Sequence, residues 1–205
     1  MPTKKPHKRS YRMTARADAA AATSERLLAA AWEHFGSRPY EEVRLQDIAS
    51  DAGVTVPTLY QRIGSKDDLL TEAYKWWGTQ EMAARDAARV GDVPGAVGIL
   101  FAHYEAHGLA ILRMLSQEDR VPAVRHLMDI GREYHRRWAE GTFEPLLHGL
   151  RGRRRGRRLI GIIAVTDVLV WKLLRVDMGV ERTEAEEIVA DMIRSSNTGS
   201  VDSVP

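Results

Sequence analysis

Residues 42–66 have the sequence EVRLQDIASDAGVTVPTLYQRIGSK, and this stretch decides the fold. Its spacing predicts a first helix over Leu45–Asp51, a tight turn at Gly53 and a second short helix. Glycine favours the turn because it adopts the left-handed backbone conformation at little cost. Thr55 is placed to cap the second helix through its hydroxyl, and Pro57 falls in the first turn, where a missing N–H group costs nothing. The pattern is that of a helix-turn-helix.

The second helix of this pattern has an apolar face and a polar face. Leu59 and Ile63 stand four residues apart and are expected to point inward. The opposite face combines small, hydroxyl, amide and cationic side chains, a mixture that suits base edges and phosphates in a DNA major groove. These outward residues are Val56, Pro57, Thr58, Tyr60, Gln61 and Arg62. An ordinary helical hairpin with a solvated outer face has the same local pattern, so the motif alone leaves both alternatives open.

The flanking sequence favours the first alternative. Thr23–Phe35 has apolar residues at three- and four-residue spacing and predicts an amphipathic helix that covers the hairpin. Ser65 stands three residues before Asp68, a variant of the capping box that starts the next helix. Over residues 23–74 this order resembles the DNA-binding domain of the TetR family of transcriptional regulators. The shared features are a first helix that ends in Phe, a Tyr after it, a DIA…AGV…LY core, and SKDDLL at the start of the fourth helix.

Three positions depart from the family pattern. Arg44 stands where the family usually has a threonine that caps the second helix, and Pro57 replaces a small residue. Ile63 stands where a phenylalanine usually closes the third helix, and it keeps the packing role. Arg44 and Pro57 therefore change the side chains available for base contacts from those usual in the family, whereas Ile63 changes only a packing residue.

The resemblance implies a homodimeric repressor that binds double-stranded DNA and is released from it by a small apolar effector. Two recognition helices would enter successive major grooves of a palindromic operator, about 34–36 Å apart. An effector bound to the C-terminal domain would shift the helix that starts at Asp67 and change this spacing. Contacts with base edges are expected at Gln46, Val56, Pro57 and Gln61. Contacts with phosphates are expected at Arg44, Thr55, Thr58, Tyr60, Arg62 and Lys66.

Length and composition fit two domains with terminal extensions. A chain of 205 residues can bury a core of its own, and we expect a three-helix DNA-binding domain over residues 21–66 and a larger helical effector-binding and dimerisation domain over residues 67–196. The charged residues before Asp18 are all basic, which predicts a disordered cationic arm over residues 1–20. Such an arm either contacts DNA or keeps the chain soluble. Residues 197–205 are polar and predict a flexible tail.

Beyond Lys66 the sequence predicts helices throughout. A long helix is expected from Asp67 to about Arg89, where a cluster of glycine and proline residues ends it. Further helices are predicted at residues 95–106, 109–118, 122–148, 153–178 and 182–196. No convincing alternating strand pattern is visible, so the predicted fold class is all-α.

Leu159–Met178 is apolar around much of its circumference, which a helix on the surface of a monomer does not tolerate. Its TDVLVWKLLR segment resembles the penultimate helix of a subset of TetR regulators, which forms a four-helix bundle with the last helix and the copies of both in a second subunit. Asp167 interrupts the apolar run. A buried carboxylate there requires a donor such as a histidine, an arginine or an indole N–H, and a structural role is favoured over ligand contact.

Large adaptable side chains on the interior helices are the candidates for an effector pocket. Aromatic and methionine side chains form apolar cavities with an occasional polar tip, as small-molecule sites require. The candidates are Trp76, Tyr104, His107, Met114, Met128, Tyr134, Trp138 and Trp171. The same spacing also fits a well-packed core, in which case the protein would be a constitutive regulator without effector.

The competing class is a helical enzyme, and the sequence gives it little support. His103 and His107 stand four apart with Glu105 between them, but this glutamate is not in the metalloprotease position and no third ligand is evident, so no metal site is predicted. Together with Asp167 these residues make no nucleophile–base pair and no phosphate loop, so neither catalytic residues nor a cofactor are expected. The arginine-rich run at residues 151–158 could bind RNA, anionic lipid or DNA, but its position between two predicted helices favours a solvated loop.

Composition argues for a cytoplasmic protein. The chain has no cysteine, so it has no disulfide, no thiolate metal site and no cysteine nucleophile. Its start is too polar for a signal peptide, and no apolar run was expected to reach the length of a membrane span. The net charge is +2. We therefore expect no membrane partner.

Overall fold

The computed structural model describes residues 8–195, with side chains described from residue 17 onward except at Gln80. In this range the regular structure is helical, which confirms the all-α prediction. A short 3₁₀ turn lies at Tyr40–Glu42 and a π-helical segment at Lys172–Asp177. The α-helices are α1 Lys8–Ser37, α2 Leu45–Asp51, α3 Val56–Ile63, α4 Lys66–Asp86, α5 Val93–Leu115, α6 Pro122–Thr142, α7 Glu144–Leu147, α8 Gly152–Val165, α9 Val168–Trp171 and α10 Arg182–Ser195.

The chain divides into two compact units, residues 1–78 and residues 79–205. The division falls within α4 and not at residue 66, where the sequence had placed the domain boundary. The beginning of α4 belongs to the first unit because its aromatic side chains pack there. Trp77 stacks on Trp32 of α1 with the ring centroids 4.4 Å apart, and Tyr74 lies 6.0 Å from the same ring.

The first helix is longer than the sequence pattern indicated. α1 begins at Lys8, so the structure differs from the disordered arm predicted over residues 1–20. The segment ADAAAA at residues 17–22 explains the difference, because alanine has the highest intrinsic helix propensity and extends the helix toward the N-terminus. Residues 1–7 and the predicted tail at residues 197–205 lie outside the described residues.

The turn of the helix-turn-helix forms as predicted. Gly53 has a φ of +68°, in the left-handed region that glycine adopts without strain. The N–H of Val54 donates to the carbonyl of Ala49 at 2.9 Å and closes the corner. Leu59 of α3 is fully buried. These contacts fix α2 and α3 as a helical pair with one apolar side.

The core of the second unit is built around α5. Residues predicted as two helices, 95–106 and 109–118, form the single helix α5. Gly108, which lies between the two predicted helices, is at a close contact, because a Cβ atom at this position would overlap the indole ring of Trp171. The buried face of α5 includes Val97, Leu100 and Phe101. α10, α9 and α6 pack around it.

The predicted helix over residues 153–178 is interrupted near its middle. α8 ends at Val165, and Asp167 caps α9 by accepting a hydrogen bond from the N–H of Leu169 at 2.9 Å. The expected donor for Asp167 was a side chain, and that expectation is wrong for the described hydrogen bonds, because a carboxylate at a helix start binds the backbone N–H groups that lack intrahelical partners. The predicted helix 122–148 is likewise divided into α6 and α7.

Within the described residues, α5 is long and apolar enough to cross a membrane by length and composition alone. This differs from the expectation that no apolar run reaches such a length. Length and composition do not separate a membrane span from the central helix of a packed core, and α5 supplies several buried residues to the core of its unit.

Candidate nucleic-acid interface

The outward face of α3 presents the side chains that the sequence predicted for it. Pro57, Gln61 and Arg62 are exposed, and the ring of Tyr60 retains 53% of its surface. Val56 and Thr58 are half-buried. A short helix that buries one apolar residue and exposes amide, aromatic and cationic groups has the form that enters a DNA major groove.

The start of α3 is held by its two threonines. The hydroxyl of Thr55 accepts a hydrogen bond from the N–H of Thr58 at 3.3 Å, as expected for the cap. The two hydroxyl oxygens lie 2.8 Å apart and share a further hydrogen bond. Both hydroxyls therefore hold the first turn in place, and because one proton is used in this shared bond, one hydroxyl proton remains for a phosphate or water.

Arg62 is oriented by α1. Its Nη1 donates to the carbonyl of Ala20 at 3.4 Å and lies 3.3 Å from the hydroxyl of Ser24. A guanidinium group has five N–H donors, so these contacts orient the group and leave donors for a phosphate. The alanine-rich extension of α1 thus contributes to the candidate interface, which the sequence pattern did not reveal.

Lys66 is engaged within its own unit. Its Nζ donates to the carbonyl of Tyr40 at 2.5 Å and lies 4.3 Å from the centre of the Tyr40 ring. Burial lowers the pKa of Lys66, although the nearby carboxylates Glu41 and Asp67 oppose this effect. The Nζ group of Lys66 already donates to the Tyr40 carbonyl, so a DNA phosphate can bind only its remaining N–H donors.

The two candidates on α2 are exposed. Arg44 is the residue before the first turn of α2, and its side chain makes no cap hydrogen bond. Gln46 lies in that first turn and is also exposed. Arg44 thus does not replace the capping threonine of the family pattern, and its guanidinium faces solvent.

Two contacts stabilise the elements that carry this face. The predicted capping box is confirmed, because Asp68 accepts a hydrogen bond from the N–H of Ser65 at 2.8 Å while the Ser65 hydroxyl accepts one from the N–H of Asp68 at 3.1 Å. The sequence did not identify the second contact, between His34 and Asp51. Nε2 of the buried His34 lies 2.8 Å from a carboxylate oxygen of Asp51 and joins α1 to the end of α2.

The eight candidates for an effector pocket do not converge on one site within the described residues. Trp76 lies in the first unit and the other seven in the second. Tyr104, Trp138 and Trp171 belong to the hydrophobic core. Their polar groups are bound inside it: the Tyr104 hydroxyl donates to the Thr166 carbonyl at 3.0 Å, and the Trp138 indole donates to the Arg85 carbonyl at 3.0 Å. Trp171 donates to Glu105 at 3.1 Å.

The remaining four candidates have separate surroundings. Met114 and Met128 are buried, and neither belongs to the main core cluster. The hydroxyl of Tyr134 lies 2.9 Å from a carboxylate oxygen of Asp86. His107 lies beside Glu81, with its Nε2 3.0 Å from the carboxylate. Five of the eight candidates are buried, whereas Trp76, His107 and Tyr134 are partly exposed, and sequence spacing did not show which of them face a common space.

The second unit contains a small cavity and a larger groove. The first is a cavity of about 240 Å³ lined by Glu81, Ala84, Arg85, Ile99, Ala102 and His103. The second is an open groove of about 480 Å³ lined by Asp86, Ala88, Val90, Tyr134, Arg137, Trp138, Gly141 and Thr142. Tyr134 and Trp138 are the predicted pocket residues that line the groove.

A buried polar network in the second unit was not predicted. Nη2 of Arg85 lies 2.9 Å from Nδ1 of His135, and Nε2 of His135 lies 3.0 Å from the hydroxyl of Thr166. The guanidinium also lies 4.6 Å from the centre of the Trp138 ring. Burial, with a further contribution from the Arg85 charge, lowers the pKa of His135 to about 3. His135 is therefore neutral at physiological pH.

Together, α2, the turn at Gly53 and α3 form a helix-turn-helix. Residues 27–73 match the family model of bacterial regulatory proteins, tetR family. Over these residues the chain is similar to the DNA-binding domain of that family. The match covers α2 and α3 completely, together with most of the apolar part of α1 and the start of α4.

Solved structures share the fold over most of the chain. A protein of Pseudomonas aeruginosa PAO1 described as a transcriptional regulator superposes with a TM-score of 0.67 at 18% identity, covering 86% of this chain and 90% of that one. A transcriptional regulator of Rhodococcus sp. RHA1 has a TM-score of 0.64 at 17% identity, with coverages of 88% and 98%. A protein of Saccharomonospora viridis, described as a transcriptional regulator and solved in complex with choline, has a TM-score of 0.63 at 20% identity, with coverages of 86% and 96%. No curated protein matches the chain.

Proposed function

We propose that this protein is a homodimeric transcriptional repressor that binds a palindromic operator and releases it when a small molecule binds the second unit. The observation that carries the proposal is the exposed face of α3, which presents Pro57, Tyr60 and Gln61 on a helix whose opposite side is buried. In a dimer, two such helices would occupy successive major grooves about 34–36 Å apart. Base edges would then be read by Gln46, Val56, Pro57 and Gln61.

Phosphate contacts would come from the residues around this face. Arg44 and Arg62 are exposed cations, and the hydroxyls of Thr55, Thr58 and Tyr60 add neutral donors. Lys66 would contribute with whatever donors its contact with Tyr40 leaves. Phosphate contacts position a protein on DNA and carry no sequence information, whereas contacts with base edges specify the sequence. The two groups of residues should therefore respond differently to substitution.

Replacing Gln61 with alanine should relax the base preference at one position of each operator half-site by about 1–3 kcal/mol, because a bidentate amide contact with a base edge is lost. Arg44→Gln is the contrasting variant. It should weaken binding to all sequences alike and reduce the slope of log affinity against log salt by about 1. Selection of bound sequences from a random pool, followed by titration at several salt concentrations, measures both effects.

Ser50→Ala, which changes an exposed residue of α2 outside the proposed contacts, is the control for Gln61→Ala. An equal loss of affinity on operator and random DNA for Gln61→Ala would contradict its assignment as a base reader. α3 would then remain the proposed recognition helix, with its other outward residues making the base contacts.

The dimer is supported by apolar side chains that the second unit leaves in contact with water. They lie along the chain from α8 to the end of the π-helical segment, and on α10: Ile160, Leu169, Leu173, Val176, Met178 and Met192. We take these side chains to form one surface, and large exposed apolar patches usually mark interfaces. A second copy of the same surface would cover the patch through an isologous contact.

The groove beside Tyr134 and Trp138 is the proposed effector site. Its volume suits a small molecule, and an aromatic wall with a few polar groups is typical of such sites. The choline complex of the Saccharomonospora viridis protein supports the idea that this fold can hold a small ligand. The alternative, a constitutive regulator without effector, is favoured by the bound polar groups of Tyr104, Trp138 and Trp171, which leave the core itself filled.

A small aromatic or cationic effector should quench tryptophan emission and raise the melting temperature in proportion to ln(1 + [L]/Kd). The same compound must weaken operator binding by the factor by which the operator weakens binding of the compound. Gly141→Trp would fill the groove, since a Cβ at Gly141 meets open space, and should abolish the response without loss of operator affinity. A panel of compounds that includes choline, read by melting temperature and by operator binding, provides the measurement.

The control for groove filling is Gly161→Trp, which adds the same side chain at a helical glycine of α8 with open space around its Cβ. If the compounds that shift the melting temperature act equally on Gly141→Trp, the groove is not the effector site. If a broad panel shifts neither the melting temperature nor operator binding, the constitutive alternative replaces the inducible one.

A further inference from the structure

Three side chains with metal-binding chemistry, from the last part of α4 and from α5, lie close together in the second unit. Glu81 comes from the end of α4, and His103 and His107 come from successive turns of α5. Their potential ligand atoms all lie within 4.8 Å of one another. One carboxylate oxygen of Glu81 lies 3.0 Å from Nε2 of His107 and 3.8 Å from Nδ1 of His103.

These separations fit a shared metal ion. Zinc binds imidazole nitrogen and carboxylate oxygen at about 2.0–2.2 Å, which places the ligands of a tetrahedral site about 3.3–3.5 Å apart. The two observed carboxylate–imidazole distances bracket this value. A hydrogen bond between Glu81 and His107 accounts for the shorter distance, but it does not explain why a second imidazole faces the same oxygen at 3.8 Å.

The three side chains differ in their access to solvent. The side chain of His103 is the most enclosed and retains 8% of its surface. His107 and Glu81 retain 22% and 33% of their side-chain surface, so an ion can reach the cluster from solvent.

We propose that Glu81, His103 and His107 bind one divalent transition-metal ion of the zinc class. Two imidazoles and one carboxylate form a ligand set suited to zinc, cobalt or nickel, whereas magnesium and calcium prefer oxygen ligands alone. Three protein ligands leave a fourth coordination position for water or an exogenous donor. This position has space available, because Glu81 and His103 also line the cavity of about 240 Å³.

Glu105 and Arg85 are charged residues near the site in sequence or space, and of the two only Arg85 influences it. Glu105 lies between the two histidines in sequence but takes no part, because its carboxylate binds Arg175 at 2.6 Å and Trp171 at 3.1 Å. Arg85 lines the same cavity. Its positive charge opposes a second cation and favours a negatively charged fourth ligand, so the bound metal would accept a carboxylate or hydroxide more readily than a neutral donor.

The test is a titration of the full-length protein, freed of metal with a chelator and then desalted, with Zn²⁺ alone and without DNA. We expect one equivalent of zinc per chain by calorimetry. His107→Ala and Glu81→Gln should each lower the zinc affinity by at least about 100-fold, beyond the about 10–100-fold effects of residues outside the ligand shell. Co²⁺ should give the visible absorption bands of a four- or five-coordinate site, and these should disappear in His107→Ala.

The matched control is His148→Ala, because His148 and Glu144 form an exposed pair four residues apart elsewhere in the second unit. Circular dichroism and the melting temperature of each metal-free variant show that it folds, and Glu81→Gln retains a side chain of the same size. Zinc binding that survives in both ligand variants, or that is lost in His148→Ala, contradicts the site. Absence of zinc binding to the wild-type protein at submillimolar concentration also contradicts it, and neither result affects the proposed binding of DNA.

Discussion

Leu173→Glu should convert the protein from a dimer into a monomer and lower its operator affinity by about a thousandfold. Leu173 retains 50% of its surface in the isolated chain, and Leu169, four residues earlier, retains 58%. If a second copy covers these side chains, a carboxylate at residue 173 is desolvated in the interface without a partner. A monomer engages one half-site, and loss of the second removes much of the factor of about 10³–10⁷ that separates specific from non-specific binding.

Sedimentation at micromolar concentration and operator titration measure the two effects on one sample. Leu109→Glu is the control, since it introduces the same charge at an exposed apolar residue of α5 that belongs neither to this set nor to the groove, with 61% of its surface retained. A wild-type protein that sediments as a monomer would contradict the proposed interface. If the Leu173→Glu variant remains dimeric with full operator affinity, the dimer interface lies on another part of the second unit.

The helix-turn-helix could be predicted from sequence because each of its signals is local. The left-handed glycine at Gly53, the cap at Thr55 and the reciprocal bonds of Ser65 and Asp68 act over at most four residues. Local geometry of this kind depends little on what packs against it. The same reasoning failed at the start of α1, where alanine propensity extended the helix through residues whose charge pattern had suggested a disordered arm.

The second unit was harder to predict because its decisive contacts join distant residues. Helical periodicity shows which face of α5 is buried, but it does not show that α4 lies opposite His103 and His107. The third member of that cluster, Glu81, precedes His103 by a stretch that contains the whole turn between the two helices. The break between α8 and α9 at Thr166 and Asp167 could not be predicted for another reason. The apolar pattern of the sequence continues across it.

The network of Arg85, His135 and Thr166 shows the same limit. Nothing in the spacing of these residues indicates that they meet, yet they are buried together in the second unit. An arginine and a histidine in a helical pattern normally predict solvated positions. Their burial can be recognised only after the helices are assembled, and it has a measurable consequence for stability in acid.

The second unit should lose about 3 kcal/mol of stability between pH 6.5 and pH 4 through His135 alone. The pKa of His135 is about 3 in the folded protein, against an ordinary value of 6.5, because burial and the Arg85 charge disfavour the protonated ring. Between these two values the unfolded chain binds a proton that the folded chain does not. The free energy of unfolding therefore falls as the pH falls, by about 1.4 kcal/mol per pH unit for one such group.

Urea unfolding at a series of pH values, compared between the wild-type protein and His135→Gln, isolates this contribution. Glutamine keeps a polar side chain near Arg85 and Thr166 but does not titrate, so the stability difference between the two proteins should shrink by about 3 kcal/mol from pH 6.5 to pH 4. His126→Gln, which removes an exposed histidine from the same helix, is the matched control. A difference that stays constant across this range would mean that His135 is accessible to protons in the folded state, and the buried network would then be open to solvent.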